Sequence, residues 1–312
     1  MYYRAYIVDP SLSTNGEPIG GLKGFLKILQ KLTRDIKPDS IIIVWDGAGG
    51  SQKRKSYNKN YKEGRKPIRL NRDIKNLTAN EEIQNKIWQQ TRLIEYLNDM
   101  PLIQFMEPSI EADDIIAHIT QAPLLKGIQK IIVSSDKDFY QLCDKETIVF
   151  RPIQKEILNT SRLVDKHGIH PTNFALARAI VGDKSDNLLG VPGVGMPTMM
   201  KRFKFLSEEK TYTIDDVLDF CKSVENPLQA HRNILENKEV IEKNYKIMQL
   251  YVPLISVQTK QKINNILKTF EYEFNQTAVH VKMIKDGFGV FNWDSLFSLY
   301  KKIVVDNKEV FL

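Results

Sequence analysis

Four groups of carboxylates stand out in this 312-residue chain because of where they fall. Asp46 ends the run "SIIIVWDG". Glu111, Asp113 and Asp114 crowd into "SIEADDIIAHI", Asp136 and Asp138 end "KIIVSSDKD", and Asp183 and Asp186 lie in "GDKSDN". Each group has an ordinary structural account, since acids complement the dipole of a helix start and Asp caps helices and turns. Taken together they ask for more. Eight carboxylates on one side of a sheet repel one another unless cations lie among them. Hard divalent ions such as Mg²⁺ or Mn²⁺ take oxygen ligands. Two of them, about 3.5–4 Å apart, hold both the attacking and the leaving oxygen of a phosphodiester displacement. Metal-assisted hydrolysis of a phosphodiester is the chemistry such a set would serve.

The elements that must position these acids can be read from the same stretches. "SIIIVWDG" and "KIIVSSDKD" are continuous apolar runs that read as short buried strands, with Asp46, Asp136 and Asp138 at their C-terminal ends. Residues 20–36 place Leu22, Phe25, Leu26, Leu29, Leu32 and Ile36 on one helical face, and further helices are expected near 80–98 and 112–120. Strands alternating with helices argue for a parallel α/β sheet, which binds ligands beyond the carboxyl ends of its strands. From about residue 171 the pattern is mostly helical, with stretches near 197–206, 228–250 and 258–269. The expected division is an α/β domain over 1–170 and a helical domain over 171–312.

Composition narrows the partners. With 42% hydrophobic and 27% charged residues the chain reads as a globular protein rather than a disordered or fibrous one. No apolar run approaches the roughly 18–20 residues of a membrane span. Two cysteines, Cys143 and Cys221, lack metal-ligand spacing and read as reduced thiols of a cytosolic protein. The net charge of +7 suits a polyanionic partner. Residues 51–75 concentrate it, with ten Lys/Arg against Glu63 and Asp73, and with Tyr57 and Tyr61 interleaved. Cations for phosphates and aromatics that stack on bases fit a single strand of nucleic acid. Farther on, "GVPGVGMPTMM" pairs a glycine turn with a helix start near Pro197, where backbone N–H groups can grip a phosphate.

These motifs together resemble the 5′-nuclease superfamily: phage 5′–3′ exonucleases, flap endonucleases and the 5′-nuclease domain of bacterial DNA polymerase I. The markers are "YRAY" with "TNGEPIGGLKGFLKIL", "VWDG", "YKEGRKP", "EADD", "SSDKDFYQL", "GDKSDNLLGVPGVG" and "NKEV", in the family's order from Tyr3 to about residue 252. The resemblance implies a parallel-sheet, PIN-like α/β domain with a helical arch (about 51–80), followed by a helix–3-turn–helix module. It also implies two divalent ions, one held by Asp46, Glu111, Asp113 and Asp114, the other by Asp136, Asp138, Asp183 and Asp186. Lys62 and Arg65 match arch positions that serve catalysis at the scissile phosphate, and with Arg54 they would meet the 5′ strand. Arg4 matches an N-terminal phosphate contact. Gly190, Gly193, Gly195, Thr198 and Lys201 match the duplex grip, which in many members uses a potassium ion.

The function this implies is a structure-specific 5′–3′ exonuclease or flap endonuclease. It would act as a monomer on DNA with a 5′ flap or RNA primer, or on an RNA–DNA hybrid, alongside a replicative polymerase and a single-strand-binding protein. The compartment would be the cytoplasm of a bacterium or a phage-infected host. Two departures from the family pattern are visible. Members carry a strand ending in Asp-Gly about seven residues before the Tyr-Arg pair, which here is Tyr3-Arg4, so a segment upstream is expected to supply it. The family's Lys two residues after the last turn glycine is Pro197 here. The rival reading is a non-catalytic binder of branched DNA with an incomplete metal site.

Overall fold

The computed structural model describes residues 1–65, 68–290 and 292–309. Along the chain run α1 (Tyr2–Val8), α2 (Gly20–Ile36), β1 (Ile42–Trp45), α3 (Gln52–Tyr57), α4 (Ala79–Leu97), β2 (Ile103–Met106), α5 (Ala112–Thr120), β3 (Lys130–Val133), β4 (Thr147–Arg151), β5 (Glu156–Leu158) and α6 (Thr160–His167). There follow α7 (Pro171–Val181), β6 (Gly182–Asp183), β7 (Leu188–Leu189), α8 (Met196–Arg202), α9 (Ile214–Ser223), α10 (Gln229–Glu236), α11 (Lys238–Met248), α12 (Val257–Thr269), α13 (Gln276–Lys285) and α14 (Trp293–Glu309). The helices expected near 80–98 and 112–120 are α4 and α5. The stretch expected near 228–250 is broken at Asn237 into α10 and α11.

By packing, the chain divides into two units: Met1–Ile43 with Lys66–Phe105 and Leu267–Leu312, and Val44–Arg65 with Met106–Ile266. In the first, α2 buries Leu22, Phe25, Leu26 and Leu29 as its apolar stripe requires. Leu32 and Ile36 are only half-buried, and the buried residue of the last turn is Thr33, whose hydroxyl donates to Leu29 O at 2.9 Å. Polar links hold α1 and α2 against α4. Tyr2 and Tyr6 donate their hydroxyls to the carbonyls of Lys86 and Glu82, and Gln89 Oε1 accepts from Leu22 N. Buried backbone groups must be satisfied, and these bonds do that while fixing the register of the helices. Arg4 lies exposed on α1.

The second unit contains all the carboxylates singled out above. Its core joins Ile132, Val149 and Leu158 of the strands to Phe174 and Ile180 of α7, Met199 of α8 and Ile241 of α11. The boundary placed at residue 170 falls between α6 and α7 in this unit, and the core draws on both sides of it. The sheet is less extensive than strand–helix alternation suggests. β3 pairs with β4 in parallel, but β4 pairs with β5 antiparallel and β6 with β7 antiparallel. The short connections explain this, because a tight turn can only reverse the chain, whereas a parallel partner needs a long crossover. Among the described residues the arch range of 51–80 contains the short helix α3, turns after it and the first two residues of α4; residues 66 and 67 lie outside the described residues. Among the described residues no helix is long and apolar enough to cross a membrane.

The β6–β7 pair brings two glycines against backbone. A Cβ on Gly190 would fall 1.9 Å from Val181 O, and Val191 N donates to Ile180 O at 2.8 Å. Asn244 Nδ2 locks the same place, donating to Ala179 O and Leu189 O. Gly195 is different: its Cβ would meet only Pro197 Cδ at 3.6 Å, an ordinary contact. Gly190→Ala should therefore cost at least about 2 kcal/mol, and Gly195→Ala less than about 0.5 kcal/mol. Urea unfolding of the two variants checks this, and equal losses would show that steric approach is not what Gly190 answers to.

Candidate nuclease site

Asp46 follows β1 directly, and its Oδ1 accepts from Ala112 N at 3.0 Å, so it caps the first turn of α5 from a distant segment. Glu111 occupies the N-cap position of α5 but its side chain makes no capping bond there. Both Glu111 and Asp114 are instead buried, at 3% and 2% exposure, around one guanidinium. Arg54 Nη1 donates to Glu111 Oε2 and to Asp114 Oδ2, each at 2.6 Å, and its Nε donates to Ile247 O at 2.9 Å. Two further donors complete Glu111: Lys62 Nζ at 2.5 Å on Oε1 and the Tyr61 hydroxyl at 3.3 Å on Oε2. Asp114 Oδ1 accepts from Leu254 N at 2.8 Å. The helix-start preference and the cation preference of "EADD" thus both operate, but here the cation is the chain's own arginine.

A second arginine organises the other acids. Asp138 opens a 3-10 turn at Asp138–Leu142 after β3, and Asp183 belongs to β6. Arg178, on α7, donates Nη2 to Asp138 Oδ1 at 3.1 Å and to Asp183 Oδ2 at 2.5 Å. Asp183 Oδ1 accepts from both Ser185 N and Ser185 Oγ at 2.7 Å. Asp136 is exposed and accepts from Asp138 N at 2.9 Å. Asp186 pairs with Arg65, and its carbonyl accepts from Lys62 N at 2.9 Å. Lys62 takes a left-handed conformation, φ 57°, beside Tyr61, which is anchored among Leu188, Ile247 and Met248. That conformation is uncommon for a side chain of this kind and is held by the bonds on either side of it.

The charges do not balance. Eight carboxylates meet four cations (Arg54, Lys62, Arg65 and Arg178), which leaves a formal excess of four negative charges. Burial, then the neighbouring Asp136, holds the Asp113 carboxyl well above its ordinary range and pushes Asp138 up to about 7. Burial acts the same way on Asp183, but the bonds from Ser185 and Arg178 outweigh it and keep that carboxyl below its usual value. Asp113, Asp138 and Asp186 line one small cavity with Arg54, Tyr61 and Leu188, so acids of both expected clusters face the same space. An all-oxygen set with surplus charge fits hard divalent cations in its chemistry. Among the described residues, however, no three acids converge as a ready metal site, because the chain's own cations take several of the positions.

The structure therefore places Arg54 in the interior, 3% exposed, where a phosphate contact was expected of it. Tyr61 is equally buried and closed to base stacking, whereas Tyr57 is 44% exposed. Lys201 is exposed and Thr198 half-buried on α8, and Gly193, with φ 72°, is exposed in the turn before it. Arg178 was missed by sequence reasoning. A signal was available, since it is the one basic residue in the otherwise apolar run "FALARAIV".

Residues 1–168 match the family model described as the 5′–3′ exonuclease, N-terminal resolvase-like domain. The chain is 28% identical over 253 residues to a 5′–3′ exonuclease of Aquifex aeolicus, covering 81% of this chain and 79% of that protein. It is 26% identical over 285 residues to DNA polymerase I of Caldicellulosiruptor bescii, covering 88% of this chain but 32% of the polymerase, and so spans about a third of that relative. In fold it is similar to the bacteriophage T5 flap endonuclease, solved as a pseudo-enzyme–product complex with DNA and metal ions, with a TM-score of 0.59 at 15% identity over 90% of this chain and 91% of that one. The α/β architecture expected of the resemblance is thereby met.

Arg54→Met would leave Glu111 and Asp114 buried with much of their counter-charge removed. Breaking one side of a buried ion pair typically costs about 3–5 kcal/mol, and a loss of that size is expected here in urea unfolding at neutral pH. A loss no larger than that of an exposed lysine such as Lys55→Met would contradict the interior role.

Proposed function

Because the chain belongs to the 5′–3′ exonuclease family and is a nuclease, we propose that it hydrolyses phosphodiesters where a DNA duplex meets a 5′ single strand, removing 5′ flaps or RNA primers. The observation that carries this reading is the shared cavity. Acids from separate segments face it, with the basic stretch 61–65 tied to one of them, Asp186, through Arg65 and to the neighbouring Glu111 through Lys62. A negatively charged strand approaching there would meet Lys62 and Arg65.

Asp46, Glu111, Asp113 and Asp114 on one side and Asp136, Asp138, Asp183 and Asp186 on the other would hold two divalent ions, Mg²⁺ or Mn²⁺. When bound, such ions supply Lewis-acid stabilisation of phosphate charge and lower the pKa of water. The chain's own groups then have separate tasks. Lys62 Nζ and the Arg65 guanidinium, now on Glu111 and Asp186, would turn to the phosphate and stabilise its charge as the bond to the leaving oxygen breaks. Their exposures differ from those of the interior arginines: the Arg65 side chain is 52% exposed and that of Lys62 21%, against 4% for Arg54. The two more exposed cations are the two that would meet substrate. Gly193, Gly195, Thr198 and Lys201, with a potassium ion at the turn, would hold the duplex arm by its phosphates, and Arg4 would add a further contact. Removal of flaps or primers would go with a polymerase and a single-strand-binding protein as partners, in the cytoplasm.

A labelled 5′-flap duplex incubated with Mg²⁺ should be cut near the junction. Lys62→Ala should slow cleavage by about 10²–10³-fold while flap affinity stays within a few-fold. Tight flap binding without cleavage at any Mg²⁺ concentration would overturn the nuclease reading. Equal losses of cleavage and binding in Lys62→Ala would remove that residue from catalysis and leave it a phosphate contact.

A further inference from the structure

Arg178 differs from the cations of the 61–65 segment in how it is held. It sits on α7, whose residues Asn173 to Ala177, Ala179 and Ile180 are buried, so the helix has little freedom to shift. Asn173 Nδ2 donates to the carbonyls of Leu206, Glu208 and Lys210, and Tyr212 N donates to Asn173 Oδ1. At the other end Asn244 Nδ2 grips Ala179 O. The Arg178 side chain is 11% exposed. From this fixed base its guanidinium reaches two carboxylates that the chain delivers separately, Asp138 after β3 and Asp183 beyond the end of α7. Ser185 fixes the other oxygen of Asp183, so the pair is constrained from both sides.

We infer that Arg178 is a positioning residue of the nuclease site, a resident counter-ion that holds Asp138 and Asp183 facing one another before any divalent ion or DNA arrives. The planar fork of arginine suits this, because it can engage two carboxylates at once where a lysine offers a point charge. The inference rests on the reading of these acids as the metal-holding set. One consequence separates it from plain packing: a divalent cation and Arg178 neutralise the same charges, so each should compensate for loss of the other.

Thermal unfolding of the full chain tests this, in EDTA and in saturating Mn²⁺, for wild type, Arg178→Met, Arg178→Lys, Asp183→Asn and the Arg178→Met/Asp183→Asn double variant. Without metal, Arg178→Met should lower the melting temperature by about 4–8 °C, and Arg178→Lys by less. Mn²⁺ should recover at least half of the Arg178→Met loss. The double variant should melt above Arg178→Met alone, since removing both partners leaves less charge unpaired. A loss relieved by neither Mn²⁺ nor Asp183→Asn would reduce Arg178 to packing and overturn the inference, as would no loss at all. Should Arg178→Met fail to fold, Arg178→Lys and the double variant carry the same comparison. If Mn²⁺ moves no protein in the set, the metal reading falls, and the double variant alone decides for Arg178: recovery keeps the counter-ion role and its absence ends it.

Discussion

Repulsion among carboxylates is the constraint on which the second unit depends. Glu111 and Asp114 are nearly inaccessible to water, and a charge in that environment is tolerated only when paired and hydrogen-bonded. Arg54 meets the demand by donating to both acids and to Ile247 O, which also ties α3 to the end of α11. Arg178 performs the corresponding task for Asp138 and Asp183. Arg54 clamps two acids one helical turn apart, whereas Arg178 joins acids from separate parts of the sequence. The acidic set is therefore an architectural element as well as a chemical one.

The segment from Tyr61 to Arg65 connects the two halves of that set. Tyr61 is anchored among Leu188, Ile247 and Met248, while Lys62 reaches Glu111 with its side chain and Asp186 with its backbone N–H. A hydrophobic anchor next to a more exposed cation suits the phosphate contact proposed for Lys62. The anchor fixes where the cation starts, and its aliphatic stem can lie on apolar surface while the ammonium reaches Glu111. In this respect the basic run is not a uniform electrostatic surface. It contains an interior counter-ion at Arg54, a buried aromatic at Tyr61 and more exposed cations at Lys62 and Arg65.

The glycine turn shows a similar division of labour within one motif. Gly190 is required by the close backbone approach of Val181, and Gly193 by its positive φ, whereas Gly195 meets no obstacle that a methyl group would strike. The first two glycines shape the turn. The third leaves the N-cap of α8 open, which is where a phosphate would need backbone access.

Much of this was legible in the residues themselves. Apolar periodicity marked α2, α4 and α5, because burial of one face leaves a repeating pattern wherever a helix lies on a core. The eight acids were recognisable at strand ends and a helix start, and their motifs carried the family resemblance that the comparison with relatives bears out. The pairing of charges was beyond the sequence. That Arg54 turns inward, that Tyr61 is buried rather than free to stack, and that Arg178 joins Asp138 to Asp183 all depend on contacts between residues tens of positions apart. Local composition records that a basic residue is present near an acidic one in the chain. Only the tertiary structure decides which carboxylate it meets, because that choice is made by the packing that excludes water from the pair.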